Sequence, residues 1–206
     1  GAPGLDQILH EPLPEREDLE KRYQLDFSDK VLLVVQHPVT LEVEQAAKQI
    51  RETLEAVSSF QYQTLVIYPN ADAGGRAMIE VIEEYEHLPF IRTYRSIPHK
   101  DYLSILRYSS VLIGNSSSGI IEAPSFGTPV VNIGSRQRGR QRGENVVDVG
   151  YGREEIASAI SYVLNDRYYL NRINLKNNPY GDGNSGKRIT NILSTISVNG
   201  QLLQKE

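Results

Sequence analysis

Short apolar, β-branched runs alternate with stretches of helical periodicity along this chain, and that alternation limits its fold more than any other feature. The run Val31 to Gln36 is apolar and ends at His37-Pro38, where proline breaks ladder pairing. From Thr40, a candidate N-cap, the period changes: Val43, Ala47, Ile50, Leu54 and Val57 fall on one helical face. The pattern repeats as strand 64–68, helix 76–85, strand 90–94, helix 98–108 and strand 111–113. Helix 118–126, strands 129–133 and 146–149, and helix 154–164 follow, and a loop rich in Asn, Gly and Pro (177–187) leads to a last helix near 188–196. Six strands separated by helices require crossover connections, so the expected fold is α/β, a doubly wound parallel sheet with helices on both faces. Ligands of such sheets bind beyond the carboxyl ends of the strands. The expected organisation is one domain over residues 1–183, with 184–206 as its terminal helix and tail.

Composition removes several function classes. A net charge of -4 gives no electrostatic reason to expect nucleic acid or an anionic membrane as partner, so any anion site must be local. Cysteine is absent, and no apolar run approaches the roughly 20 residues that span a bilayer. The cytoplasm is the simplest address. The opening Gly1-Ala2-Pro3-Gly4 has neither an initiator Met nor the basic and apolar regions of a signal peptide, and it reads as the start of a trimmed or excised domain. His10, His87 and His99 are scattered without carboxylates at ligand spacing, so no metal site is expected.

The strongest local signal is Gly114-Asn115-Ser116-Ser117-Ser118-Gly119, directly after a strand and directly before a helix. Unpaired N–H groups at a helix start, small residues that permit close approach, and serine hydroxyls together suit a phosphate. The plainer reading is an ordinary N-cap; the phosphate reading is favoured, although the string is neither a Walker A loop nor a GxGxxG fingerprint. Glu122, one turn further, suits either a ribose diol or the first turn of its helix, and position alone leaves both open. Arg136, Arg138, Arg140 and Arg142 lie in a loop (134–144) with three glycines and almost no apolar residue. That loop is expected to be mobile, with one or two arginines clamping an anion. His37 ends the first core strand, where a histidine can donate to phosphate or carry a proton.

These residues carry a resemblance. His37-Pro38-Val39-Thr40, Pro69-Asn70-Ala71-Asp72-Ala73-Gly74, the Gly114 to Gly119 loop with Glu122, Gly127-Thr128-Pro129-Val130, Arg136-Gln137, Gly143-Glu144-Asn145-Val146 and Tyr180-Gly181-Asp182-Gly183 occur in order. As a set they resemble the hydrolysing UDP-N-acetylglucosamine 2-epimerases. Members of that family have two Rossmann-like domains facing across a cleft, a GT-B arrangement. The resemblance makes this chain the C-terminal, nucleotide-binding half, entered at Gly1 to Asp6. Non-hydrolysing bacterial members carry a His-Arg-rich sequence where this chain has Gln36 to Thr40, so the hydrolysing branch is the nearer match.

Carried over by resemblance, Ser116 and Ser117 hold the diphosphate, Glu122 binds the ribose, Arg136 stands at the nucleotide, Asn70 and His37 line the cleft, and the Ile97 backbone meets the uracil edge. His37 is the one residue given a catalytic part. The implied reaction is loss of UDP with removal of the sugar C2 proton, then hydration, giving N-acetylmannosamine and UDP without a cofactor. The implied partners are UDP, UDP-sugars, an N-terminal domain bearing most of the acids and bases, and further copies in a homo-oligomer. The fragment alone is expected to bind without turnover. Diacetylbacillosamine-nucleotide epimerases and GT-B glycosyltransferases share the nucleotide half, and a non-catalytic nucleotide-binding module is the remaining alternative.

Overall fold

The computed structural model describes residues 1–173, 176–198 and 200. Residues Pro12–Pro179 form one compact unit built on a six-stranded sheet. Its strands are β1 (Val31–Val35), β2 (Gln63–Ile67), β3 (Ile91–Tyr94), β4 (Val111–Gly114), β5 (Val130–Ile133) and β6 (Val146–Val149). All pair in parallel, in the order β3-β2-β1-β4-β5-β6. The expected α/β, doubly wound Rossmann-like sheet is therefore present. β1 is buried along its whole length, as a central strand covered on both faces must be, which is why it reads as an unbroken apolar run.

Successive residues of β1 feed opposite layers. Leu32 and Val34 pack with α3 (Ala46–Ser58), α4 (Gly75–Glu83) and α8 (Arg153–Asn165) through Ile50, Leu54, Met78, Ile82, Ile156 and Ile160. Val31, Leu33 and Val35 face α2 (Arg16–Tyr23) and α5 (His99–Tyr108) through Leu19, Tyr23, Ile105 and Leu106. After β3 the chain returns past β2 to place β4 on the free edge of β1. The strand order reverses there, and the loops leaving β1 and β4 diverge over a crevice at their carboxyl ends.

Several elements depart from the expected pattern. The helix expected from Thr40 begins at Ala46; Thr40–Gln45 is a 3₁₀ stretch broken at Glu42 (φ -128°), and Thr40 makes no capping bond. The helix expected over 118–126 is two short pieces, α6 (Ser118–Ile121) and α7 (Ala123–Phe126). Pro124 accounts for the break, since it has no N–H to donate and its ring crowds the carbonyl four residues back. Helix α2 and a further helix α9 (Arg167–Ile173) were not foreseen. The second compact unit joins Gly1–Glu11 and Tyr180–Glu206, with α1 (Gly4–His10) and α10 (Ser185–Thr195). There the Asp6 carboxylate accepts from the Ser185 and Gly186 amides at 3.0 and 2.6 Å, so α10 is capped by a residue distant in sequence. Among the described residues no helix is long and apolar enough to cross a membrane.

Gly114 ends β4 with φ +129°, and a Cβ there would lie 2.2 Å from the Val35 carbonyl oxygen. Only glycine lets the two strands run this close at the mouth of the crevice. Gly114→Ala should destabilise the fold by at least ~2 kcal/mol, from the strained φ and the clash together. Urea unfolding measures this directly, and a variant as stable as the parent would contradict the packing described.

Candidate functional site

The crevice between β1 and β4 is closed at its base by one side chain. Asn115, 1% exposed, follows Gly114 and reaches across to the loop after β1. The His37 N–H donates to its Oδ1 at 2.7 Å, and its Nδ2 donates to the His37 carbonyl at 2.8 Å. Arg136 Nη1 and Gln137 Nε2, from the loop after β5, both donate to the Asn115 carbonyl, at 3.1 and 2.7 Å. On the other side the Asn70 N–H, after β2, donates to His37 Nδ1 at 3.2 Å. Four loops from four strands thus meet at Asn115 and His37.

The bond from Asn70 decides the tautomer of His37. A ring nitrogen that accepts an N–H carries no proton, so the neutral ring keeps its proton on Nε2 and offers it as a donor. Burial, reinforced by nearby Arg136 and partly opposed by Asp72, pushes the His37 pKa down to about 4. The imidazole is therefore neutral at physiological pH.

The serine loop presents further donors. Asn115 N–H donates to the Val35 carbonyl at 3.1 Å and Ser118 N–H to Ser116 Oγ at 3.3 Å. The two amides between them, Ser116 and Ser117, donate to nothing among the described residues. With α6 only four residues long, what this turn can offer an anion is its individual N–H groups and hydroxyls rather than a long helix dipole. Glu122, at the junction of α6 and α7, is half-buried, and its carboxylate has no side-chain partner among the described residues. Burial raises its pKa. Such a carboxylate gains from hydroxyl donors brought by a ligand.

The arginine loop is more ordered in its bonding than its composition suggests. Gln137 is 2% exposed and anchors it from below. Arg142, expected as one of four candidate clamps, is committed to Asp148 at 2.8 and 3.2 Å and to the Gln137 carbonyl at 2.9 Å. Arg138 and Arg140 are exposed, which leaves Arg136 as the arginine turned into the crevice. A groove of about 480 Å³ beside it is lined by Val39, Leu41, Glu42, Asp72, Arg136 and Arg138 among others.

The structure brings His37, Asn70 and Arg136 into one bonded group adjoining Ser116 and Ser117. The Asn70 side chain is exposed and bonded to Asp72 at 2.6 Å, so its backbone is the part that touches the group. Ile97 lies two strands away, after β3, half-buried against the α2/α5 core. Sequence reasoning gave no role to Asn115, Gln137 or Glu42. Glu42 accepts from Ser135, from Tyr151 at 2.6 Å and from Gln49 at 2.8 Å, tying the segment after His37 to the residue before Arg136. The displaced 3₁₀ stretch is what brings it there.

Comparison with known proteins decides the family. The family model described as UDP-N-acetylglucosamine 2-epimerase matches residues 1–194. The chain belongs to this family. It is 38% identical, over its whole length and 53% of the relative, to a UDP-N,N'-diacetylbacillosamine 2-epimerase (hydrolyzing) of Legionella pneumophila. It is 30% identical over 78% of its length, and 42% of the relative, to a UDP-N-acetylglucosamine 2-epimerase of Neisseria meningitidis. A crystal structure of UDP-GlcNAc 2-epimerase from Neisseria meningitidis bound to UDP-GlcNAc matches with TM-score 0.72 and 17% identity, over 88% of this chain and 49% of that one. The chain spans about half the length of the family members it matches.

A half-buried His37 with a lowered pKa should make the fold acid-sensitive. The unfolded chain takes up this proton near the ordinary 6.5 and the folded one only near about 4. The contribution of neutral His37 is therefore full above pH 6.5 and is lost as pH falls through that window. NMR titration of the imidazole should give a midpoint near 4, and His37→Gln should flatten the stability curve between these values. A midpoint near 6.5 would contradict the burial of the ring.

Proposed function

We propose that this chain binds UDP-sugars at the β1/β4 crevice and forms the nucleotide-binding, C-terminal half of a hydrolysing UDP-N-acetylglucosamine 2-epimerase. The observation that carries the reading is the bonded group that ties His37 and Arg136 to Asn115, directly before the serine loop, which gathers donors at the carboxyl ends of β1 and β4: the Ser116 and Ser117 amides, the Ser117 hydroxyl, Nε2–H of a neutral His37, and Arg136. A diphosphate is acceptor-only and anionic, and it suits such a set. The half-buried Glu122 carboxylate, which has no side-chain partner among the described residues, suits the diol of a ribose. The Ile97 backbone and Asn70 are assigned to the uracil edge and to the cleft wall.

In the proposed reaction the C1–O bond to UDP breaks as the C2 proton leaves, and negative charge grows on the departing diphosphate. Donors already fixed around that position lower the barrier, because they need no reorientation as the charge appears. His37, held in its Nε2–H form by Asn70, serves as donor to that oxygen. Water then adds to the unsaturated sugar, releasing the 2-epimer. The acids and bases that act on the sugar are assigned in this proposal to an N-terminal half outside the present chain. A homo-oligomer and a cytoplasmic location complete the proposal.

A second sugar is favoured by one observation. Two diacetylbacillosamine-nucleotide epimerases, from Legionella pneumophila and Campylobacter jejuni, are 38% identical over the whole of this chain and 34% identical over 65% of it (35% of that relative), against 30% over 78% for the meningococcal UDP-N-acetylglucosamine enzyme. The full-length enzyme incubated with each UDP-sugar separates the readings. Free 2-epimer with stoichiometric UDP marks the hydrolysing reaction and identifies the sugar. An epimerised UDP-sugar without UDP release would overturn the hydrolysing assignment.

Two variants test the site itself by calorimetry. Replacing both Ser116 and Ser117 by Ala should weaken UDP roughly tenfold or more, since bonds to a charged group contribute about 1.5–3 kcal/mol each, and leave uridine little changed. Glu122→Gln should weaken UDP while sparing pyrophosphate. Equal weakening of both ligands in either pair would contradict the corresponding assignment.

A further inference from the structure

Ser116 is not an isolated hydroxyl. The Tyr102 hydroxyl, on α5, is hydrogen-bonded to the hydroxyl of Ser118, and Ser118 Oγ lies 2.9 Å from Ser116 Oγ. Ser118 is 7% exposed, and the body of Tyr102 packs into the α2/α5 core, so this chain of three hydroxyls runs from the interior to the loop. Burial pushes the Tyr102 pKa up to about 12, which keeps the phenol protonated and able to donate. A phenol is a better donor than acceptor, and this one is bonded to Ser118 and lies within reach of Ser116. With Tyr102 donating to Ser118, the Ser118 proton turns to Ser116. Ser116 Oγ then accepts twice, from the Ser118 hydroxyl and from the Ser118 N–H at 3.3 Å. Both of its lone pairs are filled, and its own proton is left to point outward.

We infer that Tyr102 is a positioning residue for the nucleotide site, setting the direction of the Tyr102–Ser118–Ser116 hydroxyl chain so that Ser116 can only donate. This rests on the nucleotide reading above. A serine fixed as a donor favours a ligand oxygen that only accepts, as in a diphosphate, and disfavours a hydroxyl that needs an acceptor. Tyr102 also joins two parts of the site. Its N–H donates to the Pro98 carbonyl at 2.9 Å, so the residue that orients Ser116 is tied to the turn that carries Ile97.

The test is calorimetry on the 206-residue chain with UDP and with uridine, for the parent, Tyr102→Phe, Ser116→Ala and the double variant. Tyr102→Phe should weaken UDP about fivefold to tenfold and uridine less than twofold, the scale of one misdirected bond to a charged group. In the Ser116→Ala background the same change should have no further effect, because Tyr102 acts only through Ser116. A purely structural tyrosine would instead weaken both ligands, and its effect would add to that of Ser116→Ala. Ser118→Ala removes the middle of the chain and must give the same split, which keeps the test decisive if Tyr102→Phe does not fold. Unchanged UDP affinity in both variants, or additive losses, would overturn the inference while leaving the nucleotide reading intact. A parent chain that binds no UDP would overturn the nucleotide reading and this inference with it.

Discussion

The reciprocal pair between Asn115 and the His37 backbone is the contact on which the site depends. Adjacent parallel strands whose following loops diverge leave a gap at their carboxyl ends, and polar backbone there must be paired or wet. Asn115 is short enough to sit at the base of that gap and has both a donor and an acceptor to satisfy His37 on the other side. Its own carbonyl then remains as the anchor for Arg136 and Gln137. One buried amide therefore sets the separation of the β1 and β4 loops and the approach of the β5 loop. Gly114 makes this possible by allowing β4 to close on Val35.

The electrostatic character of the site follows from that geometry. The chain carries a net charge of -4, so an anion is not drawn by the molecule as a whole. What gathers at the crevice is a set of dipolar donors with a single turned-in guanidinium. Holding His37 neutral avoids placing a second full positive charge beside Arg136, and it leaves a directed N–H in its place. Of the four arginines in the loop, one is spent on Asp148, and its role there is to shape the loop rather than to meet a ligand.

The inner strands β1, β4 and β5 were legible because a parallel strand covered on both faces must be a short apolar run, whereas the partly buried edge strands β3 and β6 were legible mainly from their place between helical stretches. The helices were less so. Thr40 looked like a cap, yet the segment it opens is used to bring Glu42 to Ser135 and Tyr151, and those tertiary bonds outweigh the local preference. Pro124 lies inside the 118–126 apolar pattern, where its missing N–H outweighs the helical period and divides the helix. Of the site residues, His37, Ser116, Ser117 and Arg136 could be placed because strand ends and glycine turns mark the carboxyl edge of the sheet. Asn115, Gln137, Glu42 and Tyr102 owe their roles mainly to partners from 16 to 109 residues away, Gln49 beside Glu42 excepted, and no local pattern announces a contact at that distance. The signal that was available for Asn115 was its position, directly after the strand and before the serines.

The proposed meeting place of a diphosphate with this chain is the β1/β4 crevice organised by Asn115. Backbone-amide NMR of the chain titrated with UDP, with pyrophosphate as reference, locates the ligand residue by residue. Both ligands should shift the His37, Ser116, Ser117 and Arg136 amides, with UDP adding changes around Glu122 and Ile97. Shifts confined to the pocket lined by Gln45, Lys48, Glu52 and Gly152, with the serine loop unmoved, would contradict it.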